Sequence, residues 1–98
     1  MPGMGEQMKM INKMRKLQNE LKKEIVEVEA GDGAVILQIN GEMKVIKLDF
    51  DADKIDTNNL DELADWTKAA IRDGIKEAQE MAAEKMKPMM GDMGSFGF

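Results

Sequence analysis

Residues 35–50 contain two apolar, β-branched runs on either side of Asn40-Gly41. Asn-Gly between such runs is the strongest short signal for a β-hairpin, because a two-residue type I′ turn needs positive φ at both central residues. The first run, residues 34–39, is apolar on both faces, and such a strand needs cover on both faces. Because one chain's helices cover one face, we predict that a second copy covers the other, which makes the protein a homodimer.

The segment before the hairpin predicts a helix over residues 6–23. It lacks Gly and Pro and is rich in good helix formers. Four apolar residues recur at coiled-coil-like spacing and form a seam along one side. These seam residues are Met10, Met14, Leu17 and Leu21.

The segments around the hairpin predict the remaining strands. Residues 25–30 alternate with the period of a strand, and residues 31–33 (Gly-Asp-Gly) have the chemistry of a turn. Residues 42–50 predict a third strand, with a bulge near Lys44-Val45. The predicted fold class is therefore α+β, with a helix, a three-stranded antiparallel sheet and a second helix in that order.

The second helix is predicted over residues 60–87. Asn59 and Glu62 resemble a capping box at its start, and Pro88 is expected to end it. We predict a single domain over residues 1–98, with flexible tails at residues 1–5 and 88–98.

The predicted dimer interface combines apolar strand residues with small residues on the second helix, which let another backbone approach closely. These residues are Val35, Leu37, Ile39, Ile46, Leu48, Ala70 and Gly74.

The charge is divided unevenly along the chain. Residues 1–24 hold six basic and three acidic side chains, a net +3, while residues 25–98 hold the other eight basic and sixteen acidic ones, a net −8. Such asymmetry occurs where a basic arm faces a polyanion, and the alternative explanation is a helix face that is simply solvated. The candidate residues for contact with such a polyanion are Lys9, Lys13, Arg15, Lys16, Lys22 and Lys23, assisted by Lys68, Arg72 and Lys76.

Catalysis and metal binding are not expected. The chain has no Cys and no His, which removes thiol and imidazole nucleophiles, bases and zinc ligands. Residues 49–54 imitate the start of a calcium loop, but Lys54 stands where the loop needs Gly and Leu60 where it needs Glu. The Met-rich termini are explained better by adaptable packing than by Cu(I) ligation. We expect no cofactor, no small-molecule substrate, no signal peptide and no membrane span.

The order of these pieces is similar to the YbaB/EbfC family of small bacterial nucleoid-associated proteins. The resemblance rests on the Met- and Lys-rich residues 8–18, the turn and strands of residues 26–41, the helical residues 69–78 and the tail residues 86–97. Arg72, Gly74 and Phe96 depart from the family's usual residues. The resemblance implies a tweezer-like homodimer, with strands of both subunits at its centre and helices projecting. It also implies a cytoplasmic, nucleoid-associated protein that binds double-stranded DNA and influences gene expression.

An alternative reading is a protein-interaction or chaperone-like module without DNA binding. Helix, hairpin and helix is also the layout of prefoldin-type subunits, whose coiled coils hold client proteins. The predicted helices are short, however, and only the first has a heptad seam. DNA affinity, measured beside suppression of a client's aggregation, distinguishes the two readings.

Overall fold

The computed structural model describes residues 4–94, with side chains for residues 5–88. Its elements are α1 (Met4–Lys23), β1 (Ile25–Ala30), β2 (Val35–Asn40), β3 (Val45–Phe50), a 3₁₀ helix (Ala52–Lys54) and α2 (Leu60–Gly94). The strands form one antiparallel sheet in the order β1-β2-β3. The predicted α+β class and element order are confirmed. The molecule is elongated, with extents of 66 × 24 × 15 Å.

The core lies between α2 and the first two strands. Val35 and Leu37 of β2 are fully buried in one cluster with Ala70 of α2, and Ala78 of the same helix is also fully buried. Gly74 lies between these alanines, and a Cβ added to it would lie 2.8 Å from Cδ2 of Leu37. The small residues of α2 therefore let it approach the sheet of its own chain.

This packing corrects most of the predicted dimer interface. Five of its seven residues have no surface left for a second chain, because α2 and the sheet bury them against each other within one chain. These five are Val35, Leu37, Ile39, Ala70 and Gly74. The other two, Ile46 and Leu48, are exposed.

The third strand is the part of the sheet that α2 leaves uncovered. Leu48 pairs with Leu37 and Phe50 pairs with Val35, so these β3 side chains lie on the same face of the sheet as α2. They are nonetheless 40% and 49% exposed. A bulge at Ile46, beside the predicted position, pairs Val45 with Ile39 and brings Val45 onto this face as well.

The opposite face of the sheet is mostly polar, although Ile25 and Ile36 also lie on it. Gln38 donates a hydrogen bond to Glu27 (Nε2–Oε1 2.9 Å), and Lys47 pairs with Asp49 at 3.0 Å. The hydrogen bond from Lys47 to the Asp49 carboxylate, together with the negative charge of Asp49, raises the pKa of Lys47. The polar side chains on this face come largely from β1 and β3, the two neighbours of β2. The sequence of β2 alone does not show which side chains surround it. This face therefore does not by itself require a second copy, and the homodimer remains a prediction.

The hairpin forms at the predicted place with a different turn. Asn40 N–H donates to the carbonyl of Lys44 (2.9 Å), which closes a three-residue loop, and the positive φ falls on Met43 (65°) rather than on Asn40 or Gly41. The Asn-Gly pair instead caps α1. Gly41 N–H donates to the carbonyl of Leu21 (2.8 Å), and a Cβ on Gly41 would lie 2.9 Å from that oxygen. Glycine is needed here because α1 approaches closely.

The turn between β1 and β2 rests on the only tryptophan. Gly31 has φ 63°, and a Cβ added to it would lie 2.5 Å from the indole ring of Trp66 in α2. Lys54 closes the same corner by donating to the carbonyl of Asp32 (2.7 Å). The turn therefore requires glycine for two independent reasons, its backbone conformation and the contact with Trp66.

Replacing Gly31 by Ala should lower the free energy of unfolding by about 2 kcal/mol or more, because a left-handed conformation disfavours Cβ and the indole must move. Urea denaturation followed by circular dichroism and Trp66 fluorescence measures the change. Gly5→Ala is the control, since nothing lies within 4 Å of a Cβ there. Equal stability of the two variants would contradict the packing of Trp66 on this turn.

The start of α2 follows the predicted cap, whereas its end does not. Glu62 N–H donates to Oδ1 of Asn59 (3.2 Å), which is one arm of the capping box, while Asn59 N–H donates to the carbonyl of Asp56 instead. The helix continues through Pro88 to Gly94, so the predicted end at Pro88 is wrong. Proline removes one helical hydrogen bond, and in an exposed turn water can bind the carbonyl that is left without its donor. Likewise α1 begins at Met4, and of the predicted tails residues 1–3 and 95–98 lie outside the described residues.

Candidate nucleic-acid interface

The first helix is held at its C-terminal end and exposed along the rest. Every side chain from residue 5 to residue 16 is exposed, and Leu17 and Leu21 are the half-buried members of the apolar seam. Asn40 Nδ2 donates to the carbonyl of Lys22 (3.3 Å), and Glu24, directly after the helix, pairs with Lys85 of α2 at 3.2 Å. These contacts fix the end of α1 to the body of the protein and leave its N-terminal part accessible to a large partner.

A row of four lysines runs along this exposed helix. A helix turns roughly 100° per residue, so Lys9, Lys13, Lys16 and Lys23 fall within one stripe about 80° wide. All four are exposed. In the described part of the chain no carboxylate lies within ion-pair distance of Lys9, Lys16 or Lys23. We call these four residues the α1 lysine row.

The other two basic residues of α1 lie elsewhere on the helix. Arg15 and Lys22 are exposed, but their positions place them about 80° or more around the helix from the row. Arg15 and Lys22 add to the positive potential of α1. A partner that contacts the lysine row from one side does not contact these two residues directly.

The candidate cations of α2 are not brought together with the α1 lysine row. Lys76 is nine residues, roughly 14 Å, along α2 from Lys85, which contacts the end of α1. Arg72 lies 3.4 Å from Asp73 (Nε–Oδ1), and Lys76 lines a groove with several carboxylates. Lys68 borders an apolar groove instead. The two sets of cations therefore form separate surfaces.

Within the described residues, no group of three or more His, Cys, Asp or Glu side chains could hold a metal ion. The acidic run that imitates a calcium loop has local structural roles. Asp51 accepts from Asp53 N–H (3.1 Å) and caps the 3₁₀ helix, and Asp56 accepts from Asn58 N–H (2.9 Å). In the same part of the chain, neither helix has an apolar stretch long enough to cross a membrane.

Sequence reasoning missed most of an apolar groove between β3 and α2. We call it the β3–α2 groove; it is lined by Phe50, Leu60, Leu63, Ala64, Thr67, Lys68 and Ile71. Leu60 is 63% exposed and Ile71 41%, values that are high for large apolar residues. The sequence did carry a signal for this groove, because α2 has more apolar residues than it needs to cover two strands. The sequence could not show which two strands α2 covers, so the position of the groove was not predictable.

The arrangement defines a class: a small α+β protein with one exposed basic helix on an otherwise acidic body. Residues 1–93 match the model of the YbaB/EbfC DNA-binding family. The chain therefore belongs to this family, in agreement with the resemblance of its motifs.

Named relatives and a solved structure agree with this assignment. A "nucleoid-associated protein" of Chloroflexus aggregans is 37% identical over 90 residues, which cover 92% of this chain and 88% of the relative. One of the same description from Syntrophobacter fumaroxidans is 35% identical, covering 84% of this chain and 74% of the relative. The crystal structure of an uncharacterized protein from Helicobacter pylori has the same fold, with a TM-score of 0.77 at 21% identity, covering 88% of this chain and 90% of that one.

Proposed function

We propose that this protein binds double-stranded DNA as a homodimer, chiefly through phosphate contacts made by α1, and thereby influences gene expression. We place it in the bacterial cytoplasm, on the nucleoid, with no catalytic role. The observation that carries the proposal is the α1 lysine row, an exposed set of cations on a helix projecting from a body of opposite charge.

The dimensions of the row suit a duplex. From Lys9 to Lys23 the helix rises roughly 21 Å. DNA advances 3.4 Å per base pair, so a row of this length spans about six base pairs. Lysine side chains are flexible point charges that contact phosphate without reading base edges. We therefore expect binding that depends weakly on DNA sequence, through backbone and shape.

The acidic body limits how DNA can approach. Carboxylates of β1 and α2 repel phosphate. At 0.1 M salt this repulsion acts within a Debye length of about 10 Å and is largely screened beyond it. DNA is thereby directed to the arm. The same repulsion lowers the total affinity, which makes two arms in one particle more effective than one.

The β3–α2 groove supports the homodimer. Monomeric proteins rarely expose large contiguous apolar surface, and such a surface normally belongs to an interface. Val45, Leu48 and Phe50 extend this surface along β3, and all three are at least 40% exposed. Two copies that bury these grooves against each other would carry two α1 arms, as a tweezer-like particle does.

A protein-interaction module of the prefoldin type is the second candidate. It is favoured by the exposed apolar residues of α1, where Met8 is 62% exposed and Met10 56%. A module of this kind would suppress aggregation of a heat-denatured client and would not bind DNA at matched salt. The family to which the chain belongs favours DNA.

Fluorescence anisotropy of a labelled random duplex, titrated at salt concentrations between about 50 and 200 mM, tests the proposal. The logarithm of the affinity should fall linearly with the logarithm of the salt concentration. Two rows of four lysines predict a slope between about −4 and −7, since each phosphate contact contributes about −0.9. A second duplex of unrelated sequence should bind within about threefold. Absence of binding at the lowest salt would refute the proposal and favour the interaction module.

A further inference from the structure

The outer edge of β1 is open among the described residues. Asn40 N–H donates to the carbonyl of Lys44, directly before β3, so alternate β2 residues direct their backbone groups toward β3, and the intervening residues, such as Leu37, direct theirs toward β1. In β1 the partners of these intervening residues are Val26, Val28 and Ala30. The backbone N–H and C=O groups of Glu27 and Glu29 therefore point away from the sheet, where an added strand would bind them.

A groove runs beside this edge, between β1 and α2. It has a volume of about 440 Å³, and its lining includes five carboxylates and one lysine. These are Glu27, Glu29, Asp73, Glu77, Glu80 and Lys76. In the described part of the chain Glu29, Glu77 and Glu80 have no ion-pair partner, and Glu27 accepts only a hydrogen bond from the neutral Gln38. The groove therefore carries a net negative potential, which Lys76 and the Arg72–Asp73 ion pair offset only in part.

An added strand would meet carboxylates on both of its faces. Successive side chains of a strand point to opposite faces of the sheet. On one face α2 presents Glu77 and Glu80, and on the other β1 presents Glu27 and Glu29. Basic residues at consecutive positions of the added strand would all lie near a carboxylate.

We propose that the β1 edge binds an extended, lysine- and arginine-rich segment of another protein by strand addition. Backbone hydrogen bonds to Glu27 and Glu29 supply the register, and the groove carboxylates select a basic segment. A second copy of this chain does not fit, because its densest run of basic residues lies on the helix α1, and pairing of two β1 edges would place their glutamates together. DNA does not fit either, since the charge of the groove has the same sign as phosphate.

The probe is a fluorescein-labelled nine-residue peptide of three Lys-Arg-Val triplets, titrated with the full chain at about 20 mM salt, where charge interactions are weakly screened. A peptide with Pro in place of each Val keeps the charge but cannot complete the strand hydrogen bonds. The Val peptide should bind at least about tenfold tighter than the Pro peptide. Equal affinities would overturn strand addition in favour of simple charge attraction, and absence of binding would overturn the proposal.

Two variant pairs locate the site on the protein. Glu27→Pro removes the outward N–H, which an edge strand tolerates, while Glu27→Gln controls for the lost charge. Glu77→Lys with Glu80→Lys reverses the groove, and Glu42→Lys with Asp65→Lys makes the same charge change at exposed positions elsewhere. The first member of each pair should weaken peptide binding at least about fivefold more than its control.

Folding and DNA binding are checked separately. Circular dichroism verifies that the variants are folded, and hydrogen exchange should show new protection at the amides of Glu27 and Glu29 when the peptide binds. Equal effects within each pair, or unchanged exchange at both amides, would overturn the proposed site. DNA affinity of Glu27→Pro should match that of Glu27→Gln, so the outcome is independent of whether the DNA proposal holds.

Discussion

Replacing Lys9, Lys16 and Lys23 together by Glu should weaken DNA binding by at least about 100-fold at moderate salt. Each arm loses three of the four cations in its lysine row and gains three anions, and a dimer doubles the change. The substituted side chains are exposed and Glu is a good helix former, so the fold should be retained. Fluorescence anisotropy with the random duplex measures the loss, and circular dichroism verifies the helix content.

The matched control makes the same charge change outside both α1 and the β3–α2 groove, with Lys47, Arg72 and Lys76 replaced by Glu. These residues lie apart from the α1 lysine row, and each is beside carboxylates. The control variant should lose less than about tenfold, through the general increase in negative charge. If the control loses as much as the α1 variant, the DNA surface is not the α1 lysine row. If neither variant changes the affinity, phosphate contact by these lysines is refuted.

Replacing Leu60 and Ile71 together by Asp should convert the dimer into a folded monomer. Both residues are exposed in the single chain, so the fold should tolerate the change. At an interface between two β3–α2 grooves, four carboxylates would be buried without partners, at several kcal/mol for the pair of chains. Light scattering coupled to size-exclusion chromatography measures the mass. The loss of one arm should also reduce the salt slope of DNA binding by about half.

The control for the groove is Met8→Asp with Ile11→Asp on α1, where the residues are equally exposed and apolar. This variant should remain dimeric. A monomer in the control, with a dimer retained in the groove variant, would place the interface on α1 instead. A wild-type chain that is monomeric at micromolar concentration would refute the homodimer itself.

The order of the elements was predictable because its signals are local. Period-two alternation in β1, the Gly-Asp-Gly turn and the Asn59 cap each depend on residues only a few positions apart. The α1 lysine row belongs to the same category, since residues on one helix stay in fixed relation whatever the helix contacts. The charge asymmetry between the arm and the body required only counting.

The predictions that were wrong involve contacts between distant segments. Asn40-Gly41 adopts a different turn because α1 reaches Gly41, about twenty residues away in sequence. Five of the seven residues predicted to contact a second copy are instead buried between α2 and the sheet of the same chain. Pro88 was expected to end α2 because proline usually interrupts a helix, but this exposed helix continues through it.

By itself, the sequence determined the α-β-β-β-α order, the basic arm and the absence of thiol and imidazole chemistry. Only the tertiary structure decided which strands α2 covers, and with them which side chains flank the two edges of the sheet. Because α2 lies over β1 and β2, its apolar side meets the exposed residues of β3 and its acidic side flanks β1. The position of a helix across a sheet depends on the fit of side chains such as Gly74 and Leu37, which are distant in sequence and meet only when the chain folds.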